Sequence, residues 1–256
     1  TSYRDRPNVV SVVLDEKTND QSLVMTSSFS NLVRAALTLG SLADPAGHEA
    51  RTRALAHAAS GVLRERGDAL AAAGRSECRS AVFLGSGCRL GSAREAALKM
   101  LEMTAGGVFT QAESYLGLRH GPMSALREDT LVVAFLASDP VVRAYEIDLL
   151  RELDAKRLGM RRVVVGTRIP PELVHPGGVR VDCGESAPLA DAELTVIDTL
   201  VGQLLAFFRC LASGNRPDSP SAESVITRVV SAFAIHRRPE GLAGRTRGAA
   251  DTEDGR

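Results

Sequence analysis

Along the chain, short apolar runs rich in β-branched residues alternate with longer stretches whose apolar positions recur every three to four residues. The first run, Val9–Leu14 (VVSVVL), predicts a buried strand. A polar turn, DEKTNDQS, follows it. Thr26, Ser27 and Ser28 then supply cap-type side chains before an apolar helix over Phe29–Leu39, which Gly40 stops. One strand and one helix cannot cover both their faces, so this opening unit requires partners from elsewhere. Glu49–Ala73, rich in Ala, Leu and Arg at helical spacing, predicts a long bridging helix ended by Gly74.

From Ala81 the alternation becomes regular. It predicts strand Ala81–Leu84, helix Gly91–Thr104, strand Val108–Gln111 and a helical turn beginning at Gly121 and Pro122. Strand Leu131–Leu136, helix Val141–Leu158, strands Arg162–Val165 and Val179–Asp182, and helix Ala190–Leu211 follow. Strands separated by helical stretches imply a parallel sheet covered on both faces, an α/β protein built as a three-layer α/β/α sandwich. Ser213–Ser221 reads as a turn-rich link and Val225–Ile235 as a last apolar segment. Residues 237–256 have no apolar periodicity and predict a disordered tail.

Composition narrows the function classes. Apolar residues make up 44% and the formal net charge is zero, so neither a nucleic acid nor an acidic membrane surface is expected as a partner. With 4% aromatics and no Trp, a stacking platform for bases is not expected either. Cys78, Cys88, Cys183 and Cys210 stand singly, without metal-ligand spacing, and read as reduced cysteines of a cytoplasmic protein. No metal site is expected. No apolar run reaches the roughly 18 residues that span a bilayer, and no basic-then-apolar leader opens the chain. The first residue is Thr, which suggests a reading that begins inside a larger protein.

Candidate chemistry concentrates between Ala81 and Leu126. Gly85, Ser86 and Gly87 lie between a predicted strand and a predicted helix, where glycines permit a tight turn and helix N–H groups attract an anion; the same residues serve many α/β proteins merely to turn. Glu95 and Glu102 fall seven apart on one helix face with Lys99 between them. That spacing suits a salt-bridged surface stripe, while the Leu98, Leu101 and Met103 flanking Glu102 suggest an apolar setting in which a carboxylate becomes a base near neutral pH. Glu113 and His120 occupy the loop after the next strand, with His120 in R-H-G-P at a rigid turn opening a helix. His48, His57, His175 and His236 have no comparable setting and read as surface or structural.

The segments GSGCRLGSAREAALKMLEMTAG and ESYLGLRHGP together resemble the second half of sugar isomerase (SIS) domain proteins of the AgaS type. These are tagatose-6-phosphate ketose/aldose isomerase and galactosamine-6-phosphate deaminase-like proteins. The isomerase half of glucosamine–fructose-6-phosphate aminotransferase is similar at greater distance. KTNDQSLVMTSSFSNLVRAAL resembles the last strand-to-helix turn of a preceding SIS domain, and LLAFFRCLASGNRPDSPS with VITRVVSAF resembles the closing helix and tail. The resemblance implies a domain remnant over residues 1–48, a bridging helix over 49–74, an SIS domain over 75–214, a tail segment over 215–236 and a disordered tail thereafter.

It also implies roles. Glu102 matches a glutamate that shuttles a proton between C1 and C2, and His120 a histidine that helps open the sugar ring, often in the neighbouring subunit's site. Glu113 lies in the matching acidic loop, and Thr26, Ser27 and Ser28 match a turn lining the sugar-phosphate pocket. Ser86 and Gly87 are candidates for a secondary ligand edge. The implied activity is isomerisation of a phosphorylated sugar, or deamination of an amino-sugar 6-phosphate, through an enediol or enamine without cofactor, in a homodimer or higher homo-oligomer. The family's Ser-rich phosphate loop and the aminotransferase-type lysine near the C-terminus have no counterpart here; the only lysines are Lys17, Lys99 and Lys156. A non-catalytic phosphosugar-binding or sensing module, or an inactive truncated product, is the rival expectation.

Overall fold

The computed structural model describes residues 7–159, 161–184 and 189–221, together with Val225 and Ala234. Five parallel strands, β1 (Ser80–Leu84), β2 (Phe109–Glu113), β3 (Leu131–Phe135), β4 (Arg161–Gly166) and β5 (Val179–Asp182), form one sheet. Their order is β2-β1-β3-β4-β5. The chain leaves β1 in one direction for β2 and returns past it to β3, so the topological switch point lies between the carboxyl ends of β1 and β3. Burial explains the apolar runs. Every residue of β3 is buried, as are Ala81–Leu84 of β1, because helices cover both faces.

Helices α1 (Ser27–Gly40), α2 (Pro45–Gly61) and α3 (Gly67–Arg75) precede the sheet. Alternate strand residues divide the core beyond them. Phe83, Val133 and Val165 face a cluster shared with α3, α4 (Arg89–Met103) and α7 (Asp191–Ala212). Val82, Val132 and Val164 face the opposite cluster, built with α5 (Tyr115–Arg119) and α6 (Pro140–Ala155). The three-layer α/β/α sandwich expected from the alternation is therefore present.

Four expectations change. Val9–Leu14 forms no strand: Val10 is 90% and Val13 87% exposed, and no strand among the described residues lies beside it to take up its backbone groups. The expected bridging helix begins earlier, at Pro45 behind the Asp44 cap, and a π-turn over Val62–Arg66 divides it from α3. Helix α5 was not anticipated, being too short to show a period, and His120 closes it instead of opening the next turn, Pro122–Ala125. Finally, α7, with 22 residues, is long and apolar enough, by length and composition, to cross a bilayer. Here it is a core helix whose Leu194, Ile197, Val201 and Leu205 are fully buried. Val225–Ile235, apart from Val225 and Ala234, and the tail expected over 237–256 lie outside the described residues.

Helices α4 and α7 run side by side. The Ser92 hydroxyl donates to Thr195 O at 3.2 Å, and further along Asn215 donates to Met103 O at 3.3 Å. Between these points the helices touch so closely that a Cβ on Gly202 would sit 2.4 Å from the Cβ of Ala96. Gly202→Ala should therefore destabilise the fold by about 1–3 kcal/mol through overpacking, despite alanine's better helix propensity. The expected outcome is a lower urea midpoint with an unchanged m value; an unchanged or higher midpoint would contradict this packing.

Candidate functional site

On α4, positions 91, 95, 99 and 102 share one face. Gly91 borders an open groove against Phe29, Val33 and Leu37 of α1. Further along that face, Lys99 forms ion pairs with Glu95 at 3.4 Å and Glu102 at 2.8 Å. The expected salt-bridged stripe is thus present, but it is not a solvated one, because Lys99 is only 5% exposed. Burial raises the Glu95 pKa, with the Lys99 ammonium opposing that rise and the Glu102 carboxylate adding to it. Two carboxylates against one ammonium leave the cluster with a net negative charge.

The apolar setting expected for Glu102 is not found. Leu98 and Leu101 are each 43% exposed and only Met103 is buried, while Glu102 itself is partly exposed and engages Lys99. What holds its carboxylate is the ammonium one turn away.

The Thr26–Ser28 turn is built around Asp20, a residue the sequence reading passed over. The Asp20 carboxylate accepts the Ser28 N–H at 2.9 Å, the Ser27 hydroxyl at 2.8 Å and the Thr26 hydroxyl at 3.4 Å. Burial pushes its pKa up, but these hydrogen bonds outweigh burial and hold it below the ordinary value. Gln203 of α7 donates to Thr26 O at 3.1 Å and ties the turn to the core. Helix α1 lies antiparallel to α7: its C-terminal residues Gly40 and Ser41 meet Ala190 and Ala192 at the start of α7, while its N-terminus meets Gln203. The turn is thus held beside Gln203, next to the point where Gly202 of α7 packs on Ala96 of α4.

Glu113 and His120 lie elsewhere. Glu113 pairs with Leu84 in register, at the carboxyl edge of the sheet. Helix α4 starts at that edge and runs back along the sheet for 15 residues, a length of roughly 20 Å. Glu102 thus ends up at the opposite edge, and one protomer does not bring Glu102 and His120 together. His120 is exposed, with its backbone N–H on Gly117 O at 3.1 Å.

Ser86 and Gly87 also occupy the carboxyl edge, at the switch point, and the crevice there is filled by the chain's own side chains. Arg89, fully buried, donates to Asp198 through Nε at 2.8 Å and reaches the carbonyls of Leu136 and Val165. Burial alone would lower the Arg89 pKa; the Asp198 carboxylate against it more than offsets this, so the guanidinium stays charged. Asp191 accepts the Ser138 N–H at 2.9 Å and its hydroxyl at 2.8 Å. Glu146, 1% exposed, accepts the Ala137 N–H at 2.8 Å through Oε2 and leaves Oε1 without a partner. Among the described residues no group of His, Cys, Asp and Glu has the arrangement of a metal site.

The chain resembles known proteins in sequence and in fold. No protein-family model matches it. D-galactosamine-6-phosphate deaminase AgaS of Escherichia coli O157:H7 is 33% identical over 230 residues, 90% of this chain and 59% of that protein. Its relatives are AgaS-type sugar isomerase domain proteins. The structure of tagatose-6-phosphate ketose/aldose isomerase from Escherichia coli, 30% identical, superposes with a TM-score of 0.74 over 88% of this chain and 60% of that one. A candidate tagatose-6-phosphate ketose/aldose isomerase from Clostridium novyi NT superposes with a TM-score of 0.83 at 27% identity, over 93% of this chain and 62% of that one. The chain thus spans about three-fifths of the length of the relatives it matches, and its parallel sheet with flanking helices is the sugar isomerase fold they share.

Burial pushes the Glu146 pKa up from 4.5 to about 7, against the opposing pull of the Ala137 N–H and of the Arg89 and Arg143 guanidiniums. The folded state thus binds this proton more tightly than the unfolded state. The associated stability is complete below pH 4.5 and is lost as pH rises through about 7. Glu146→Gln mimics the protonated form, so its urea midpoint should fall less than the wild type's between about pH 5 and about pH 8. Parallel pH profiles for the two proteins would contradict the assignment.

Proposed function

We propose that the chain acts in aldose–ketose isomerisation of a phosphorylated sugar, or in deamination of an amino-sugar 6-phosphate, at the Glu95–Lys99–Glu102 face of α4 beside the Thr26–Ser28 turn. The observation that carries this reading is the half-buried carboxylate–ammonium–carboxylate cluster itself. Isomerisation takes a proton from the carbon next to a carbonyl and returns it to the adjacent carbon. One carboxylate placed between C1 and C2 serves both steps through an enediol. Glu102 is that base, and Lys99 holds it in place and balances its charge.

On an amino sugar the same transfer gives an enamine. Protonation at C1 then gives a C2 imine, to which water adds as ammonia leaves. His120 takes part in ring opening, and Glu113 supports its loop. Because His120 sits at the far sheet edge, it serves the site of another copy, which makes a homodimer or higher oligomer the working form. Ser86 and Gly87 shape the loop at the filled crevice, away from the reacting carbons. Under this reading residues 1–48 and 75–214 belong to different sugar isomerase domains joined by 49–74, and the protein works in the cytoplasm. The relatives named above support a sugar-phosphate substrate.

The test is proton exchange. The protein is incubated in D2O with tagatose-, fructose-, galactosamine- and glucosamine-6-phosphates, and the C1 and C2 signals are followed by NMR. Exchange should occur with at least one of these and slow by about 10²–10⁴-fold in Glu102→Gln. Binding without exchange would instead mark a sensing module and overturn the catalytic reading.

A further inference from the structure

We propose that Asp20 is a specificity-determining residue that sets the hydrogen-bonding polarity of the Thr26–Ser28 turn, so that the turn reads hydroxyl or ammonium groups of a substrate and not its phosphate. The inference rests on the reading of that turn as part of the substrate site. It follows from counting protons. A Ser or Thr hydroxyl carries one proton to donate and two lone pairs that accept. Ser27 gives its proton to Asp20 at 2.8 Å, its other neighbour, Thr18 O, lying farther off at 3.2 Å. Ser28 gives its proton to Thr18 O at 3.1 Å, and Thr26 directs its own to Asp20 at 3.4 Å.

A backbone donor is also taken. The start of a helix such as α1 ordinarily offers free N–H groups to an anion. Here Ser28 N–H reaches Asp20 at 2.9 Å. The carboxylate thus occupies the place a phosphate would take. The carbonyls of Thr26 and Ser27 are engaged in turn by Gln203 at 3.1 Å and Asn31 at 2.8 Å. What remains on all three hydroxyls is lone pairs. A phosphate oxygen brings only lone pairs of its own and finds no donor; a sugar hydroxyl or an ammonium brings the proton that is missing.

Asp20→Asn tests this with little change of shape. The asparagine amide can donate to Ser27 Oγ, which frees the Ser27 proton and reverses the polarity of the turn. By calorimetry on the whole chain, the affinity for galactosamine 6-phosphate should fall by at least about tenfold while that for inorganic phosphate does not fall. Equal losses for both ligands would mean that the turn serves the phosphate. No loss for either would mean that Asp20 sets nothing.

A second measurement needs no ligand. In Ser27→Ala the Asp20 carboxyl, followed by its carbon shift in NMR, should titrate at higher pH than in the wild type, because a donated hydrogen bond is gone. An unmoved titration would overturn the donor assignment. If the wild type binds no sugar phosphate at all, the substrate-site reading fails, and the Asp20 titration still decides the polarity of the turn.

Discussion

The close seating of α4 on α7, with Gly202 against Ala96, is the constraint on which the rest of the molecule depends. It puts the small side chains of α4, Ala93, Ala96 and Ala97, into the core and turns the opposite face of the helix outward. That outward face carries Glu95, Lys99 and Glu102. Lys99 is buried there, so what would be an ordinary i,i+4 charge pattern is a partly buried cluster with two carboxylates against one ammonium. Desolvation makes such groups chemically useful, because it moves their proton affinities away from solution values.

The two edges of the sheet are treated differently. At the carboxyl edge, where α/β folds commonly bind ligands, Arg89 pairs with Asp198 and the carbonyls after β3 and in β4, while Glu146 and Asp191 accept the Ala137 and Ser138 N–H groups. That edge is stabilised by its own polar network. The site proposed above lies instead on the Glu95–Lys99–Glu102 face of α4, whose ion pairs are of a different kind from the network at the carboxyl edge.

Much of the fold was legible in the sequence because it is governed by local pattern. The β-branched runs became β1, β3, β4 and β5, and the periodic stretches became α4, α6 and α7, since burial on both sheet faces leaves little freedom in how such segments pair. Val9–Leu14 shows the limit: the same pattern yields no strand when no neighbour offers a backbone ladder. The eight site residues were chosen from resemblance and loop position, and their grouping was not readable. Whether Glu102 and His120 meet depends on which way α4 runs across the sheet, a property of topology. Asp20 was missed although its signal was present, an Asp six residues ahead of a Thr-Ser-Ser cap, because nothing local says that the chain turns back to bring them together.

Mapping where a sugar phosphate binds is the most direct test of the central claim, that the ligand lies between the α1 turn and the C-terminal half of α4. Galactosamine 6-phosphate or tagatose 6-phosphate would be titrated into isotope-labelled protein and the backbone amide shifts recorded. The account predicts the largest changes at Thr26–Ser28 and at Lys99–Met103. Changes confined to Ser86–Cys88 and Ser138, at the carboxyl edge, would contradict it.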